Sequence, residues 1–336
     1  MIAAPYRPTF LYSLLGCVAL SLLVSSGIGA YKISFWRIPE ILLTKAEGFE
    51  VLTQIRFPRV LLAVVVGASL GIAGASMQAL FRNPLAEPGL IGVTSGSALG
   101  AAAWIVLAAD TAGAIWGSGL AAFAGGATVA WVAWFAARAS GFNGTMLLIL
   151  AGVAMNSLAS AGLGVLVFIS NDQQLRSLSF WLMGGLGGAT WTSLCAAAIP
   201  ASIGILLLVS ARRRLNLLAL GEEDAWSLGM ETGSLHKQIL FGSTLAVGAS
   251  VAAAGGIGFI GLIVPHVLRM TLGPDHRYLL PASALLGAVV LILADAVARV
   301  VFAPAEIPAG IVTAFIGAPF FLWLLSNKRR ELMAHA

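Results

Sequence analysis

Charge is scarce in this sequence: Asp, Glu, Lys and Arg make up 10% of its 336 residues, where a soluble domain carries roughly 25%. So few charges cannot cover a water-facing surface, which excludes a soluble globular protein. Cysteine is nearly absent. Cys17 and Cys195 lie in apolar runs with no CxxC, so a disulfide framework or cysteine metal centre is excluded, and both read as small buried hydrophobes. No G-x-x-x-x-G-K-[ST] occurs, because none of the four lysines follows a glycine; the phosphate loop of an ATPase is therefore missing. There is no H-E-x-x-H either, and no residue is assigned a catalytic or metal-binding role. Acids are also missing from the apolar runs. Asp295 is the one acid within a span, and it precedes Arg299 by one helical turn, the spacing of an i,i+4 ion pair. Ion-coupled carriers ordinarily hold acids deep in their spans, so a secondary carrier is the weaker alternative. The chain reads as a pathway whose energy comes from elsewhere.

Apolar residues are abundant, at 59% with a mean hydropathy of +0.94. They come in stretches at 10–30, 60–81, 88–109, 111–137, 139–171, 177–211, 238–268, 278–294 and 307–327, most near the 20 or so residues that cross a bilayer. The basic residues sit at the ends of these runs, as topology signals do, so the net charge of +5 does not point to nucleic acid. Arg212, Arg213 and Arg214 form the strongest basic cluster, followed by Lys328, Arg329 and Arg330. Placing both clusters in the cytoplasm requires an even number of crossings between them. The stretch 238–268 is therefore split near Gly255-Gly256, with a short second piece broken by Pro265.

The expected fold is an all-α membrane protein, one polytopic domain over 1–336. Ten transmembrane helices, both termini cytoplasmic, would form a five-plus-five inverted repeat. An external loop spans 31–57, external helices 171–189 and a cytoplasmic segment 212–235. The inverted repeat rests on interruptions in the third and eighth spans, at Asn83-Pro84-Leu85-Ala86-Glu87-Pro88-Gly89 and at Gly255-Gly256 with Pro265. The first apolar run is too long for a signal peptide and lacks an A-x-A site, so it reads as a retained span. This topology leaves Arg56 and Arg59 outside, against the positive-inside bias.

Small residues recur every fourth position at Ala63, Gly67, Gly71, Ala75 and Ala79, and at Gly92, Gly96 and Gly100, the pattern of close helix packing in lipid. A further stripe, Gly152, Asn156, Ser160 and Gly164, carries an amide and a hydroxyl. It either makes buried interhelical hydrogen bonds or lines a polar path. The segment 215–229 reads as one or two short helices with Glu222, Glu223 and Asp224 at an N-terminus, where acids are favoured. Such a segment rests on the membrane surface or docks a partner.

Several stretches resemble one family, the permeases of ABC importers for vitamin B12, iron-siderophores and haem. They are Arg56-Phe-Pro-Arg59, Gln78 through Gly92, Leu150-Ala-Gly-Val-Ala154, Trp181 through Leu186, the 215–229 segment, Gly258 through His266, Asp295 through Arg299, and Gly317 through Phe321. They run in the family's order from about residue 55 to the end. The resemblance implies a homodimer in a bacterial inner membrane, two cytoplasmic ATPases that hold ATP and magnesium, and a periplasmic binding protein; this chain binds no cofactor. It implies a path between the copies, lined by Gly152, Asn156, Ser160 and Gly164 of the fifth span. Asn83, Leu85, Gly144 and Thr145 fall at the cytoplasmic constriction. Gly221, Glu222, Glu223, Asp224 and Trp226 match the ATPase-coupling helices. Arg56, Arg59 and Arg299 match positions that meet glutamates of the binding protein. The run Asp172 to Trp181 is most similar to haem permeases; ferric siderophore and cobalamin remain the alternatives.

Overall fold

A computed structural model describes residues 2, 6–29, 31, 33–108, 114–139 and 145–334. The described residues are helical, with no strand among them. The helices are α1 (Arg7–Gly27), α2 (Ile38–Thr44), α3 (Phe57–Leu80), α4 (Val93–Leu107), α5 (Ala114–Ala139), α6 (Thr145–Ile169) and α7 (Asp172–Met183). The second half contains α8 (Trp191–Ser210), α9 (Arg212–Leu218), α10 (Glu222–Ser227), α11 (Thr232–Ala254), α12 (Ile260–Leu272), α13 (His276–Ala298) and α14 (Ala309–Ala334). Seven are long and apolar enough to cross a membrane, and α4, α12 and 309–324 of α14 are shorter apolar helices.

α3 is the mast of the bundle. Of its most apolar window 78% is buried, against 17% for α6. Its small side chains, the stripe at every fourth residue and Gly74 beside it, explain this. A Cβ on Gly67 would strike the Gly287 backbone, one on Gly71 the Ser283 backbone, and one on Gly74 the Gly261 backbone. α13 and α12 therefore seat directly against α3, where Leu62, Ile72 and Met77 are fully buried. Gly96 and Gly100 do the same for α4 against Gly125 and Ala121 of α5.

These contacts give the bundle two distinct ends. Arg59 meets Asp295 at one end, here called the arginine end. Arg7 at the start of α1 approaches Asp275 ahead of α13 at the other. That second end also carries α9 and α10 and is called the acidic end. Its Asp275 accepts from Arg277 and from Asn216, which holds the carboxyl well below the usual carboxylate range.

Two helices start inside the bundle. α4 follows a non-helical approach from the acidic end, through Pro84 and the 3₁₀ turn Pro88–Ile91. α12 follows Gly255–Phe259, which enters from the arginine end. The approaches touch where the Phe259 N–H donates to Glu87 Oε1 at 3.4 Å. Pro265 does not break its span as the sequence suggested; it lies inside α12. A proline lacks the N–H that the carbonyl four residues earlier would accept. Gln78 Nε2 of α3 donates instead to Gly261 O at 3.2 Å and Leu262 O at 3.3 Å, while its Oε1 accepts from Arg269. A neighbouring helix thus satisfies the freed backbone group.

The cysteines are also corrected. Cys17 and Cys195 are exposed on the flanks of α1 and α8, since a small hydrophobe can face lipid as readily as a core.

Candidate functional site

At the arginine end, α1, α3, α13 and the segment after α13 converge on one charge cluster. Asp295 is its centre, 1% exposed. Arg59 grips it with Nε at 3.1 Å and Nη2 at 2.9 Å, a bidentate fork. Arg299 reaches the same carboxylate with Nε at 3.1 Å, the i,i+4 pair expected from the spacing. The remaining nitrogens are also engaged. Arg59 Nη1 donates to Glu306 Oε2 at 2.7 Å. Arg299 Nη1 donates to Ile28 O at 2.7 Å and Ser25 O at 3.1 Å, and its Nη2 to Ser25 Oγ. Arg56 donates to Ser26 O and Tyr31 O, closing the loop after α1. All three arginines are buried in the isolated subunit. Glu306 is the outlying member, with its side chain 41% exposed.

Beside this cluster lies a cavity of about 420 Å³ bordered by Arg59, Glu306, Ser177 and Trp181 of α7, Gly185–Gly188, and the end of α11. α7 is well defined from its first residue. Asn171 and Gln174 form a reciprocal capping box, and Gln174 Nε2 also donates to Val106 O of α4 at 3.1 Å. The predicted 171–189 region is thus one twelve-residue helix followed by a glycine-rich turn that hydrogen-bonds α11 and α14 through Gly185 N and Gly184 O.

The stripe on α6 divides. Gly152 packs on the Leu90 backbone, where a Cβ would collide. Asn156 Nδ2 donates to Gly89 O at 3.2 Å and its Oδ1 accepts from Ser95 Oγ, tying α6 to the start of α4. Ser160 and Gly164 are exposed. The reason is geometric: steps of four advance about 40° around a 3.6-residue helix, so the stripe leaves the interface within three steps. Ser157, Ser160, Ala161 and Gly164 form a small, partly hydroxylic exposed patch, with Leu150 and Phe168 exposed beyond its two ends.

At the acidic end, α9 anchors the predicted coupling segment by burying Leu215 and Leu218. Gly221 then turns the chain with φ of 136°, a backbone conformation that favours glycine. Glu222, Glu223 and Asp224 occupy the first turn of α10 as expected. Ala225 is buried, Glu223 and Asp224 are exposed, and Trp226 is 73% exposed. Glu222 lies 3.6 Å from His236 Nε2.

Of the constriction residues, Asn83 shapes the turn after α3: its Oδ1 accepts from Leu85 N at 2.9 Å and its own N–H donates to Gln78 O. Thr145 opens α6. Gly144 lies outside the described residues. Sequence reading missed Glu306, Glu87 and the Gln78–Arg269 pair. Their partners are 247, 172 and 191 residues away, and no local pattern signals them.

This architecture, a packed bundle with seven helices long and apolar enough to cross a membrane and two helices that start within it, is that of a multi-pass membrane protein. Its family follows from comparison. The chain belongs to the FecCD transport family, whose profile matches residues 17–327, and it is a permease subunit of an ABC importer, a transport component rather than an enzyme. It is 43% identical over 327 residues to the hemin transport system permease protein HmuU of Yersinia pestis, covering 96% of each chain. It is 45% identical over 279 residues to the vitamin B12 import system permease protein BtuC of Salmonella arizonae, covering 82% of this chain and 83% of that one. The structure matches a metal-chelate-type ABC transporter in an inward-facing conformation, with a TM-score of 0.86 and 36% identity over 95% of this chain and 99% of that one.

Proposed function

We infer that this chain carries haem across a bacterial inner membrane, as one of two identical permease subunits driven by two ATPases and served by a periplasmic binding protein. The observation that carries the haem reading is the end-to-end match to a hemin permease, which extends further along both chains than the match to a B12 permease. Cobalamin is the second reading, favoured by the slightly higher identity within that shorter match; a ferric siderophore is the third.

The seven long apolar helices and three shorter ones would make ten crossings, with the arginine end outside and both termini in the cytoplasm. The interrupted helices support an inverted repeat. α4 and α12 each hold third place among the five membrane helices of their half, and their non-helical approaches enter from opposite ends of the bundle. The exposed patch of Ser157, Ser160, Ala161 and Gly164 would face the second copy and line the path between them, with Gly152 and Asn156 fixing its rear. Asn83, Leu85, Gly144 and Thr145 would narrow the cytoplasmic exit. Gly221, Glu222, Glu223, Asp224 and Trp226 would dock the ATPase, the partner that holds ATP and magnesium. Arg56, Arg59 and Arg299 would receive acids of the binding protein.

Uptake into vesicles holding the subunit, its ATPase and its binding protein tests the cargo. Haem is expected to accumulate while ferric siderophore and cobalamin do not. Accumulation of either of those in place of haem contradicts the assignment.

A further inference from the structure

Arg59 has no free nitrogen: Nε and Nη2 hold Asp295, and Nη1 holds Glu306 at 2.7 Å. The two carboxylates are not equivalent. Asp295 is shared with Arg299 and almost wholly buried. Glu306 has one ion-pair partner among the described residues and a side chain 41% exposed. It sits on the non-helical stretch between α13 and α14, at the rim of the cavity at the arginine end.

We propose that Glu306 is a built-in stand-in for the binding protein's carboxylate, occupying Arg59 Nη1 in the undocked subunit and swinging away when a partner glutamate takes that place. The proposal rests on the docking reading above. The exchange leaves the number of hydrogen bonds to Arg59 unchanged, so a buried guanidinium is never stripped of a partner. It also alters the local field. With Glu306 in place, three arginines face two carboxylates; with it withdrawn they face Asp295 alone, and the surface becomes more attractive to an acidic partner. An undocked subunit thus presents a muted surface, and a carboxylate of the right reach unmasks it. Backbone contacts hold the stretch on both sides of Glu306, since Ala303 N donates to Val300 O before it and Ile307 N to Ala298 O after it. A side-chain swing is enough.

The test is association of the binding protein with the detergent-solubilised permease–ATPase complex, measured across a salt series for the parent, Glu306→Gln and Arg59→Lys. Glu306 is at the surface, so its amide variant retains the fold. Removing the competing charge should raise the association rate about threefold or more and steepen its salt dependence, while Arg59→Lys slows association. If Arg59→Lys slows association but Glu306→Gln leaves it unchanged or slower, the stand-in role is overturned and docking at Arg59 stands. If Arg59→Lys leaves association unchanged, the docking reading itself fails, and this proposal with it.

Discussion

The two ends of this bundle carry their charged groups in opposite ways. At the arginine end, Arg56, Arg59 and Arg299 are buried and engaged with partners in the same chain, and Glu306 alone of that cluster reaches the surface. At the acidic end, Glu223, Asp224 and Trp226 project from a six-residue helix whose inward contact is Ala225. Both groups were expected from sequence to meet partner proteins. The difference teaches that matching residue types do not imply matching states. If both surfaces dock partners as proposed, one would be ready as it stands and the other would have to exchange an internal bond for an external one. The arginines therefore have a structural duty that α10 lacks.

Breaking the arginine cluster should have the largest effect. Arg59→Ala leaves Asp295 buried with half its countercharge, and removing one member of a buried pair costs about 3–5 kcal/mol. Thermal unfolding of the solubilised subunit should show a large fall in Tm. Reversing Arg56, Arg59 and Arg299 to Glu should yield no folded subunit at all, because two carboxylates would then face Asp295 and the third would face the Ser26 and Tyr31 carbonyls. A triple-Glu variant that folds normally would show that the cluster is not structural.

The acidic end should behave in the contrasting manner. Glu222→Ala, Glu223→Ala and Trp226→Ala together should leave Tm nearly unchanged, as these side chains are half-exposed or exposed. Affinity for the ATPase should fall about tenfold or more, since exposed tryptophans are frequent hot spots. Equal affinity for parent and variant in a pull-down titration would remove α10 from the interface.

A smaller contrast lies within α6. Asn156→Ala should cost about 1 kcal/mol, because the Gly89 carbonyl and Ser95 hydroxyl lose a half-buried partner, whereas Ser160→Ala should cost under about 0.5 kcal/mol. Cysteine at 160 should react with polar thiol reagents and crosslink between copies. Failure to label in every transport state would assign that face to lipid.

The smallest effect concerns the ionic anchor at Asp275. Its carboxyl is held below the ordinary carboxylate range by Arg277 and Asn216. A depressed folded value means the stabilisation is present above the unfolded value near 3.8 and fades as pH falls through the folded one. Asp275→Asn should therefore lower Tm slightly at pH 7, and the gap from the parent should narrow below about pH 4.

Much of the architecture was legible in the sequence, because hydropathy and small-residue spacing act locally. The stripe from Ala63 to Ala79 foretold a helix that others approach closely, and Gly255-Gly256 foretold the interruption before α12. The i,i+4 spacing likewise disclosed the pairing of Asp295 with Arg299. Pro265 misled because its remedy, Gln78, belongs to a helix almost 190 residues earlier. Glu306 was invisible for the same reason: its meeting with Arg59 depends on how α3 and α13 cross. The sequence reading placed the whole 152–164 stripe on one face, but the 40° drift per step turns Ser160 and Gly164 away from the contact that Gly152 and Asn156 make.

The energy source is the most direct test of the account, because the ready surface at the acidic end has a purpose only if an ATPase binds there. Uptake should be measured in vesicles containing the subunit with its ATPase and its binding protein, supplied in turn with ATP inside or with a proton or sodium gradient. Accumulation is expected with ATP alone, and it should vanish in the Glu222, Glu223 and Trp226 triple-alanine variant while the subunit remains folded. Accumulation driven by an ion gradient without the ATPase, or undiminished in that variant, would contradict the account.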